Sequence, residues 1–393
     1  MSAFQVANSS NRRGIILGIS GAGTRGQGNL ATAINNIASD PELPFFFDPV
    51  GVYTPGGNGA RTLKTRFFPQ ATVFEGPRGY EQMMKTSLRR ENEIAAVIIA
   101  SPNQCHEEQT KTAMKGGIDG VSGIYVDKPI ALLDTGVQGV SEAIRETRFS
   151  GVIVVGLPFR LDPTIQGLGE MLVDEVLDIG DVVSISHRGT LNLVKEGEEA
   201  GNWKCGYGMG DPISMFGIHL VDMQIELMAQ LGNTLTISPG GIVIGKTWRH
   251  NNSRFTLDTG VDARIQYYDY TNKTTPAGEL HVDVDAPEFS LNWEIIGNRG
   301  SLKMNQNRDG KSIQFTGRAG EHELTEEEIA KHAPDYCKTH GHAATRELLD
   351  WGTAITQFGE YHPAASFYKV MRNEWVGHAI MLSARSGEEI RLG

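Results

Sequence analysis

The length and the charge of the chain limit what it can be. With 393 residues it is too long for one typical core, so we predict two domains. The net charge of -11 argues against nucleic acid and anionic membranes as partners. The three cysteines suggest no disulfide framework, and no apolar run is long enough to span a membrane. We therefore expect a cytoplasmic protein that acts on a small molecule.

A glycine-rich turn follows the first apolar run, 15–19, and precedes a helical pattern. In a strand–turn–helix context, the three glycines of such a turn permit a sharp bend, close approach of a pyrophosphate, and packing of helix on strand. The N-terminus of the helix then faces the phosphates. We therefore predict a dinucleotide site whose phosphate-binding residues are Gly21, Gly23, Thr24, Arg25 and Gly26.

Strand and helix patterns alternate through the first third of the chain, which is typical of a doubly wound parallel sheet. Further strands are predicted by apolar runs at 50–53, 95–100, 121–126 and 152–155, with helices around 104–116 and 135–147.

From about Asp181 the predicted strands are longer and alternate apolar with polar residues, as in 256–270 and 288–296. This pattern indicates antiparallel sheet. Residues 300–342 are polar and are predicted to be irregular. Helices are predicted at 213–231, 343–358 and 364–384.

The predicted fold class is therefore α/β: an N-terminal Rossmann domain with a parallel sheet, then an α/β domain with a large, mostly antiparallel open sheet. The boundaries that we draw are a flexible leader at 1–12, a dinucleotide-binding domain at 13–157 and a substrate domain at 158–393. This prediction allows the final helix to pack on the first domain.

The end of the second predicted strand bears on the choice of cofactor. An acid there usually holds the ribose hydroxyls and selects NAD. Here the position is occupied by Thr54 and Pro55, and Arg61 and Lys64 follow. A missing carboxylate and nearby cations suit a 2′-phosphate, so NADP is weakly favoured over NAD, with Thr54 and Arg61 at the cofactor. The alternative is a solvated basic turn.

The turn Ser101-Pro102-Asn103 ends a buried strand, and ligands of open parallel sheets lie beyond the carboxyl ends of the strands. We therefore predict that all three residues border the cofactor. His106 follows closely, and it either faces the site or caps the next helix.

Asp127 and Lys128 end another predicted strand, just before Pro129. A lysine held there beside a nicotinamide can carry a proton. The alternative is an ordinary surface lysine at a strand end.

Asp211 and Pro212 resemble the start of a helix that carries Met215, His219 and Asp222. His219 and Asp222 are three residues apart and share a helix face, so the carboxylate could orient the imidazole as a base. A histidine in an apolar helix is more often structural.

A third group, His332, Cys337, His340 and His342, has a spacing compatible with zinc. Chance is the more frequent origin of such a group, so no metal site is predicted.

Together these segments resemble the Gfo/Idh/MocA oxidoreductases, the group of glucose–fructose oxidoreductase and inositol dehydrogenase. The resemblance covers nearly the whole chain. It rests on the glycine turn, on Ser101-Pro102-Asn103 with His106, on Asp127-Lys128-Pro129, on 159–163, on Trp203-Lys204, on Gly217-Ile218-His219-Leu220-Val221-Asp222, and on the segments 293–297 and 383–387.

The resemblance implies NAD(P)-dependent chemistry at a carbinol carbon of a sugar, inositol or related polyol. It implies Lys128 and His219 as the proton-handling pair, a bond before Pro129 that is often cis, and a homodimer or homotetramer formed through the C-terminal sheet. The pocket residues that we predict are Arg160, Trp203, Asp211, Met215 and Asp222.

Met215 departs from the family, which commonly has an aspartate four residues before the histidine. A thioether cannot hydrogen-bond the imidazole in the same way. Two alternatives therefore stay open. One is glycoside cleavage in which tightly bound NAD(H) oxidises and then reduces the sugar, with no net redox change. The other, which the resemblance implies because the family contains regulators, is a non-catalytic sugar or nucleotide sensor; the presence of both Lys128 and His219 argues against it.

Overall fold

A computed structural model describes most of the chain, which divides into two compact units. The first comprises Met1–Leu161 and Thr339–Val370, and the second comprises Asp162–Lys338 and Met371–Gly393. A C-terminal segment therefore belongs to the N-terminal unit. The residues described are 12–23, 25–88, 93–115, 120–132, 137–192, 211–234, 241–248, 258–269, 275–338 and 342–392.

The described part of the first unit contains a parallel sheet. Its strands are β1 Arg13–Ser20, β2 Phe45–Tyr53, β3 Thr72–Phe74, β4 Ile94–Ile99, β5 Gly123–Asp127 and β6 Val152–Gly156. Their order is β3-β2-β1-β4-β5-β6, and every neighbouring pair is parallel. This is the strand order of a doubly wound dinucleotide-binding fold, so the predicted parallel sheet is confirmed.

The described α-helices lie in both units. In chain order they are α1 Ala31–Ser39, α2 Asn58–Arg66, α3 Gly79–Thr86, α4 His106–Met114, α5 Gln138–Thr147, α6 Pro163–Val173, α7 Ile218–Gln230, α8 Glu326–Ala330, α9 Asp335–Lys338, α10 Ala343–Thr356 and α11 Phe367–Ser386. None of the described helices is long and apolar enough to span a bilayer.

The core of the first unit forms because the central strands are apolar on both faces. Ile15 and Leu17 of β1 and Val97 of β4 are fully buried. The C-terminal helix α10 packs on the sheet: the ring of Trp351 stacks on Phe47 with centroids 5.5 Å apart. This unit thus closes only with residues from the far end of the chain.

The second unit is built on a mostly antiparallel sheet. Its described strands are β7 Val182–Asn192, β9 Gly241–Trp248, β10 Gly260–Gln266, β12 Ala277–Asp283, β13 Asp285–Gly297, β14 Ser301–Asn307, β15 Lys311–Gly317, β16 Gly320–Glu323 and β17 Ile390–Leu392. Their order is β16-β15-β14-β13-β7-β12-β10-β9-β17, with β7 and β12 parallel. Two short strands, β8 Asn233–Thr234 and β11 Tyr268–Asp269, pair separately. The predicted mostly antiparallel sheet is confirmed.

The prediction that 300–342 is irregular is wrong, because β14, β15, β16, α8 and α9 lie in this segment. In β14 the buried Leu302 and Met304 flank the exposed Lys303, and in β15 the buried Ile313 and Phe315 alternate with exposed residues. Only one face of these strands is covered, so a high polar content concealed their period of two.

A buried histidine in the second unit makes stability depend on pH. His187 is fully buried, its ring stacks on Trp293, and Gln224 Nε2 lies 3.3 Å from its Nδ1. Burial lowers the pKa of His187 to about 3. Between pH 6.5 and about pH 3 this histidine is therefore protonated in the unfolded chain but neutral in the folded chain. The free energy of unfolding consequently falls as the pH falls.

We expect the free energy of unfolding to drop by about 2 kcal/mol between pH 7 and pH 5 through this residue alone. Urea unfolding of wild type and His187→Gln at both pH values measures the effect, because the variant lacks the titrating group. His281→Gln, at a partly exposed histidine paired with Asp262, is the matched control. Equal pH dependence in wild type and His187→Gln would contradict the prediction.

Candidate functional site

The glycine turn is shaped by backbone contacts that exclude side chains. Gly21 has φ +98°, and a Cβ there would lie 2.2 Å from the Ala100 carbonyl oxygen. A Cβ on Gly26 would lie 2.6 Å from the Gly21 carbonyl oxygen. The chain after the turn enters a π-helical segment, Arg25–Leu30, that leads into α1. This cradle fits a pyrophosphate at a helix N-terminus. The predicted Thr24 lies outside the described residues.

Arg25 joins the turn to two other elements of the first unit. Its guanidinium donates to Glu347 on α10 and to the Tyr125 hydroxyl, 2.9 Å away, and its Nε lies 3.6 Å from Asp127 Oδ1. The Glu347 side chain is 2% exposed. Burial lowers the pKa of Arg25, but Glu347, Tyr125 and Asp127 outweigh that effect, so the pKa is raised. Arg25 therefore stays positively charged and forms an ion pair with Asp127, the residue before Lys128.

His106 ties together the loops that follow β4 and β5. Its Nδ1 lies 2.6 Å from the Pro129 carbonyl oxygen, and its Nε2 lies 2.7 Å from the Ser101 carbonyl oxygen. The ring is fully buried, and burial lowers its pKa against the opposing effect of these carbonyls. The residue begins α4, and its two ring nitrogens lie against carbonyl oxygens of the two loops.

The predicted turn at the end of β4 is held by a buried amide. Gln109 Oε1 accepts hydrogen bonds from the hydroxyls of Ser20, at 2.8 Å, and Ser101, at 2.9 Å. Pro102 separates Ser101 from the buried Asn103. The ends of β1 and β4 are thereby fixed side by side.

Lys128 lies at the carboxyl end of β5, directly after Asp127, and is half-buried. The bond between Lys128 and Pro129 is cis, as the resemblance implies. Arg25 contacts the residue before Lys128, and His106 contacts the residue after it. The backbone of this lysine is therefore fixed from both sides at the edge where ligands of parallel sheets bind.

The two residues predicted to lie at the cofactor after β2, Thr54 and Arg61, both make contacts with other residues of the protein. Thr54 Oγ1 accepts from the Ala60 N–H at 3.3 Å. Arg61 Nη1 lies 2.5 Å from Glu75 Oε2, so the predicted cation is paired with an acid.

The second unit places its predicted residues around the start of α7. Asp211 is 4% exposed, and its Oδ1 accepts from the Ser214 N–H at 2.9 Å, as an N-cap does. Asp211 Oδ2 lies 3.5 Å from Arg385. Met215 is buried in the π-helical turn Ile213–Gly217.

His219 and Asp222 follow on α7. His219 is half-buried, with its ring centroid 6.1 Å from that of Phe216. Asp222 is 1% exposed and accepts from Asn373 Nδ2 at 2.6 Å. Asn373 is thus a buried partner of Asp222 that no motif in the sequence identified.

Of the two remaining predicted pocket residues, the structure describes Arg160 but not Trp203. Arg160 is buried in the first unit and donates to the Ala364 carbonyl oxygen at 2.9 Å. Trp203 lies outside the described residues, as does His340. Within the described ranges, no group of three or more His, Cys, Asp or Glu side chains is arranged to hold a metal ion.

Sequence reasoning missed Glu347, Glu75 and Gln109, which bind the predicted residues Arg25, Arg61 and Ser101. Glu347 lies 322 residues from Arg25, so no local pattern could connect them. Glu75 directly follows β3, a strand of three residues that was not predicted, so its place beside β2 had no signal either.

Comparison of the whole structure with solved structures gives matches of nearly full length. An aldose-aldose oxidoreductase from Caulobacter crescentus complexed with glycerol is 12% identical, with 97% of this chain and 100% of that chain covered and a TM-score of 0.71. A myo-inositol 2-dehydrogenase from Lactobacillus plantarum is 16% identical, with 97% and 100% covered and a TM-score of 0.68. A levoglucosan dehydrogenase in complex with NADH and levoglucosan is 17% identical, with 97% and 100% covered and a TM-score of 0.72. These likenesses show a shared fold.

Comparison of the sequence itself adds the family. No curated protein matches the chain. Residues 15–156 match the family model described as "Oxidoreductase family, NAD-binding Rossmann fold". This range contains the glycine turn, the Ser101 turn and Lys128, on which the resemblance rests in this part of the chain. The predicted family is confirmed, and the nucleotide-binding part of this chain belongs to the Gfo/Idh/MocA oxidoreductases.

Proposed function

We propose that the protein is an NAD(P)-dependent oxidoreductase that transfers a hydride at a carbinol carbon of a sugar, inositol or related polyol. The family of residues 15–156 supports the redox cofactor. The solved structures of similar fold support the substrate class, since their names include an aldose-aldose oxidoreductase, an inositol dehydrogenase and a levoglucosan dehydrogenase.

The observation that carries the proposal is the fixed position of Lys128 at the cofactor edge of the sheet. Arg25 and His106 contact the residues on either side of it, and β5, which it follows, lies between β4 and β6. A dinucleotide held at the glycine turn would provide the nicotinamide that accepts or supplies the hydride. Lys128 takes the proton from the substrate hydroxyl during oxidation and returns it during reduction.

His219 is proposed as the second proton-handling residue on the family resemblance, and Asp222 as a substrate-binding residue. The buried hydrogen bond from Asn373 fixes the Asp222 carboxylate. The predicted substrate-binding roles of Arg160, Asp211 and Met215 stay proposals, and Arg160 and Asp211 are each held by a hydrogen bond within their own unit.

One observation favours a second candidate, glycoside cleavage with transient redox chemistry. Met215 is buried where the family commonly carries an aspartate. Without that carboxylate, the His–Asp dyad with which dehydrogenases of the family handle the hydroxyl proton is incomplete. Both candidates begin with oxidation of a hydroxyl, and the second then needs a base for the elimination next to the ketone.

The test is incubation of the protein with NAD⁺ or NADP⁺ and a panel of polyols, sugars, sugar acids and glycosides. Reduced nicotinamide is followed by absorbance and products by chromatography. Reduced cofactor formed in proportion to product supports the dehydrogenase. Glycoside cleavage with only catalytic amounts of bound cofactor would instead support the second candidate, and ligand binding without any turnover would support a sensor.

We also propose that the second unit associates into a homodimer or homotetramer through its nine-stranded sheet. Three large apolar side chains on strands of this sheet are exposed: Val183 by 54%, Ile244 by 48% and Ile296 by 40%. Exposed apolar area of this kind is typical of interaction surfaces. A monomer in sedimentation velocity would contradict it. The cytoplasmic location stays a prediction.

A further inference from the structure

The end of β2 carries no acidic residue, but an acidic residue that follows the neighbouring strand β3 lies beside it. Glu75 directly follows β3, whose last residue, Phe74, pairs with Tyr53 of β2. The Thr54 N–H donates to the Phe74 carbonyl oxygen at 3.4 Å, and the Gly76 N–H donates to the Pro55 carbonyl oxygen at 2.9 Å. The chain around Glu75 therefore runs beside the loop that ends β2.

The Glu75 carboxylate lies against the backbone of this loop. Gly57 has φ +72°, and a Cβ there would lie 1.9 Å from Glu75 Oε2. The positive φ favours glycine at position 57, and the absence of a Cβ leaves room for the flexible Glu75 side chain to lie against the loop.

Arg61, the predicted cation of the cofactor site, is engaged by Glu75 and by its own loop. Its Nη1 lies 2.5 Å from Glu75 Oε2. Its Nη2 donates to Asn58 Oδ1 at 2.9 Å and to the Gly56 carbonyl oxygen at 3.4 Å. The guanidinium is thereby neutralised by an acid and directed into the loop.

This corner of the first unit borders the phosphate cradle. A Cβ on Gly59, in the first turn of α2, would lie 2.7 Å from the Ala22 Cβ of the glycine turn. The Gly21 N–H donates to the Tyr53 carbonyl oxygen at 3.0 Å. In this fold the adenosine ribose lies beside the end of the second strand, next to that turn.

We propose that Glu75 sets the cofactor preference: with Arg61 it selects the dinucleotide that has a free 2′-hydroxyl over the form with a 2′-phosphate. This rests on the proposed function. It reverses the weak preference for NADP predicted from the sequence, because the carboxylate absent after β2 is supplied by the neighbouring strand.

The charges explain the direction of the preference. A phosphate monoester carries a charge of about −1.5 to −2 at neutral pH. Beside Glu75 it meets a like charge, and the cation that would offset this charge is already paired. The Arg61 and Glu75 side chains are 53% and 55% exposed, so their ion pair adds little to folding. Discrimination between cofactors is the larger effect expected from Glu75.

The test measures binding, with full-length protein and no substrate. NADH and NADPH are titrated by fluorescence, and 5′-AMP and adenosine 2′,5′-bisphosphate by calorimetry. Wild type is expected to bind NADH at least about tenfold more tightly than NADPH, and Glu75→Gln to narrow that ratio by about tenfold through tighter binding of the 2′-phosphates. Thermal unfolding of the variant should match that of wild type.

Two further variants separate the proposal from a merely structural ion pair. Glu75→Gln combined with Arg61→Met should lose the gain for 2′-phosphates, since Arg61 supplies it. Glu81→Gln, on α3 and paired with Lys85 at 3.8 Å, should leave the ratio unchanged. An unchanged ratio in Glu75→Gln, or wild-type preference for NADPH, overturns the proposal alone. Binding of neither cofactor to wild type overturns the proposed function as well.

Discussion

Replacement of Lys128 by methionine is expected to lower kcat by roughly 10²–10⁴-fold, the usual contribution of a positioned acid–base group. The dissociation constant of the reduced cofactor should change little, because the cradle around Gly21 is built from backbone. The effect is measured with the substrate identified from the polyol panel, by steady-state kinetics and by fluorescence titration of the cofactor.

Lys128→Arg separates proton transfer from charge. An arginine keeps the cation but does not deprotonate at physiological pH, so it should restore substrate binding without restoring kcat. Lys85→Met, at an exposed lysine on α3, is the matched control and should retain full activity. A kcat of Lys128→Met within threefold of wild type would show that another group handles the proton.

Gly21→Ala is the second change with a large expected effect. The backbone at position 21 has φ +98°, and the new Cβ would meet the Ala100 carbonyl oxygen at 2.2 Å. A side chain in this conformation, pressed on a strand end, should lower the free energy of unfolding by on the order of 3 kcal/mol. Cofactor binding should be lost as well, because the turn must move away from β4.

The control for Gly21→Ala is the same substitution seven positions later. Gly28 is exposed, has an ordinary φ, and would place its Cβ at least 4 Å from other atoms. Gly28→Ala should leave stability unchanged or raise it by up to about 1 kcal/mol. Urea unfolding measures the stability of both variants, and NADH titration measures their cofactor binding. Equal stability of the two variants is the result that contradicts our account of the turn.

The parallel sheet could be predicted because its strands have a local signal. Continuous apolar runs such as 94–99 are buried on both faces, and the glycine turn follows the first of them directly. The edge strand β3 has only three residues, Thr72–Phe74, and was missed. Strands 301–323 were missed because one polar face conceals the alternation.

The candidate site was predictable by residue type but not by contact. Asp127, Lys128 and His106 were identified from their places after strands. The contact of Asp127 with Arg25, and that of His106 with the Pro129 carbonyl, depend on side-chain directions that sequence spacing does not give. Arg61 shows the consequence, since the role that we propose for it in cofactor preference rests on its ion pair with Glu75.

The return of α10 to the first unit has a consequence for the order of events at the ribosome. Arg25 is synthesised 322 residues before Glu347, and Phe47 long before Trp351. Domains generally fold as they emerge, N-terminal first. Here the nascent cofactor domain exposes the sheet face that α10 covers until the rest of the chain is made. Nascent chains stalled before residue 343 should therefore be protease-sensitive in this domain, whereas chains released at full length should be protected.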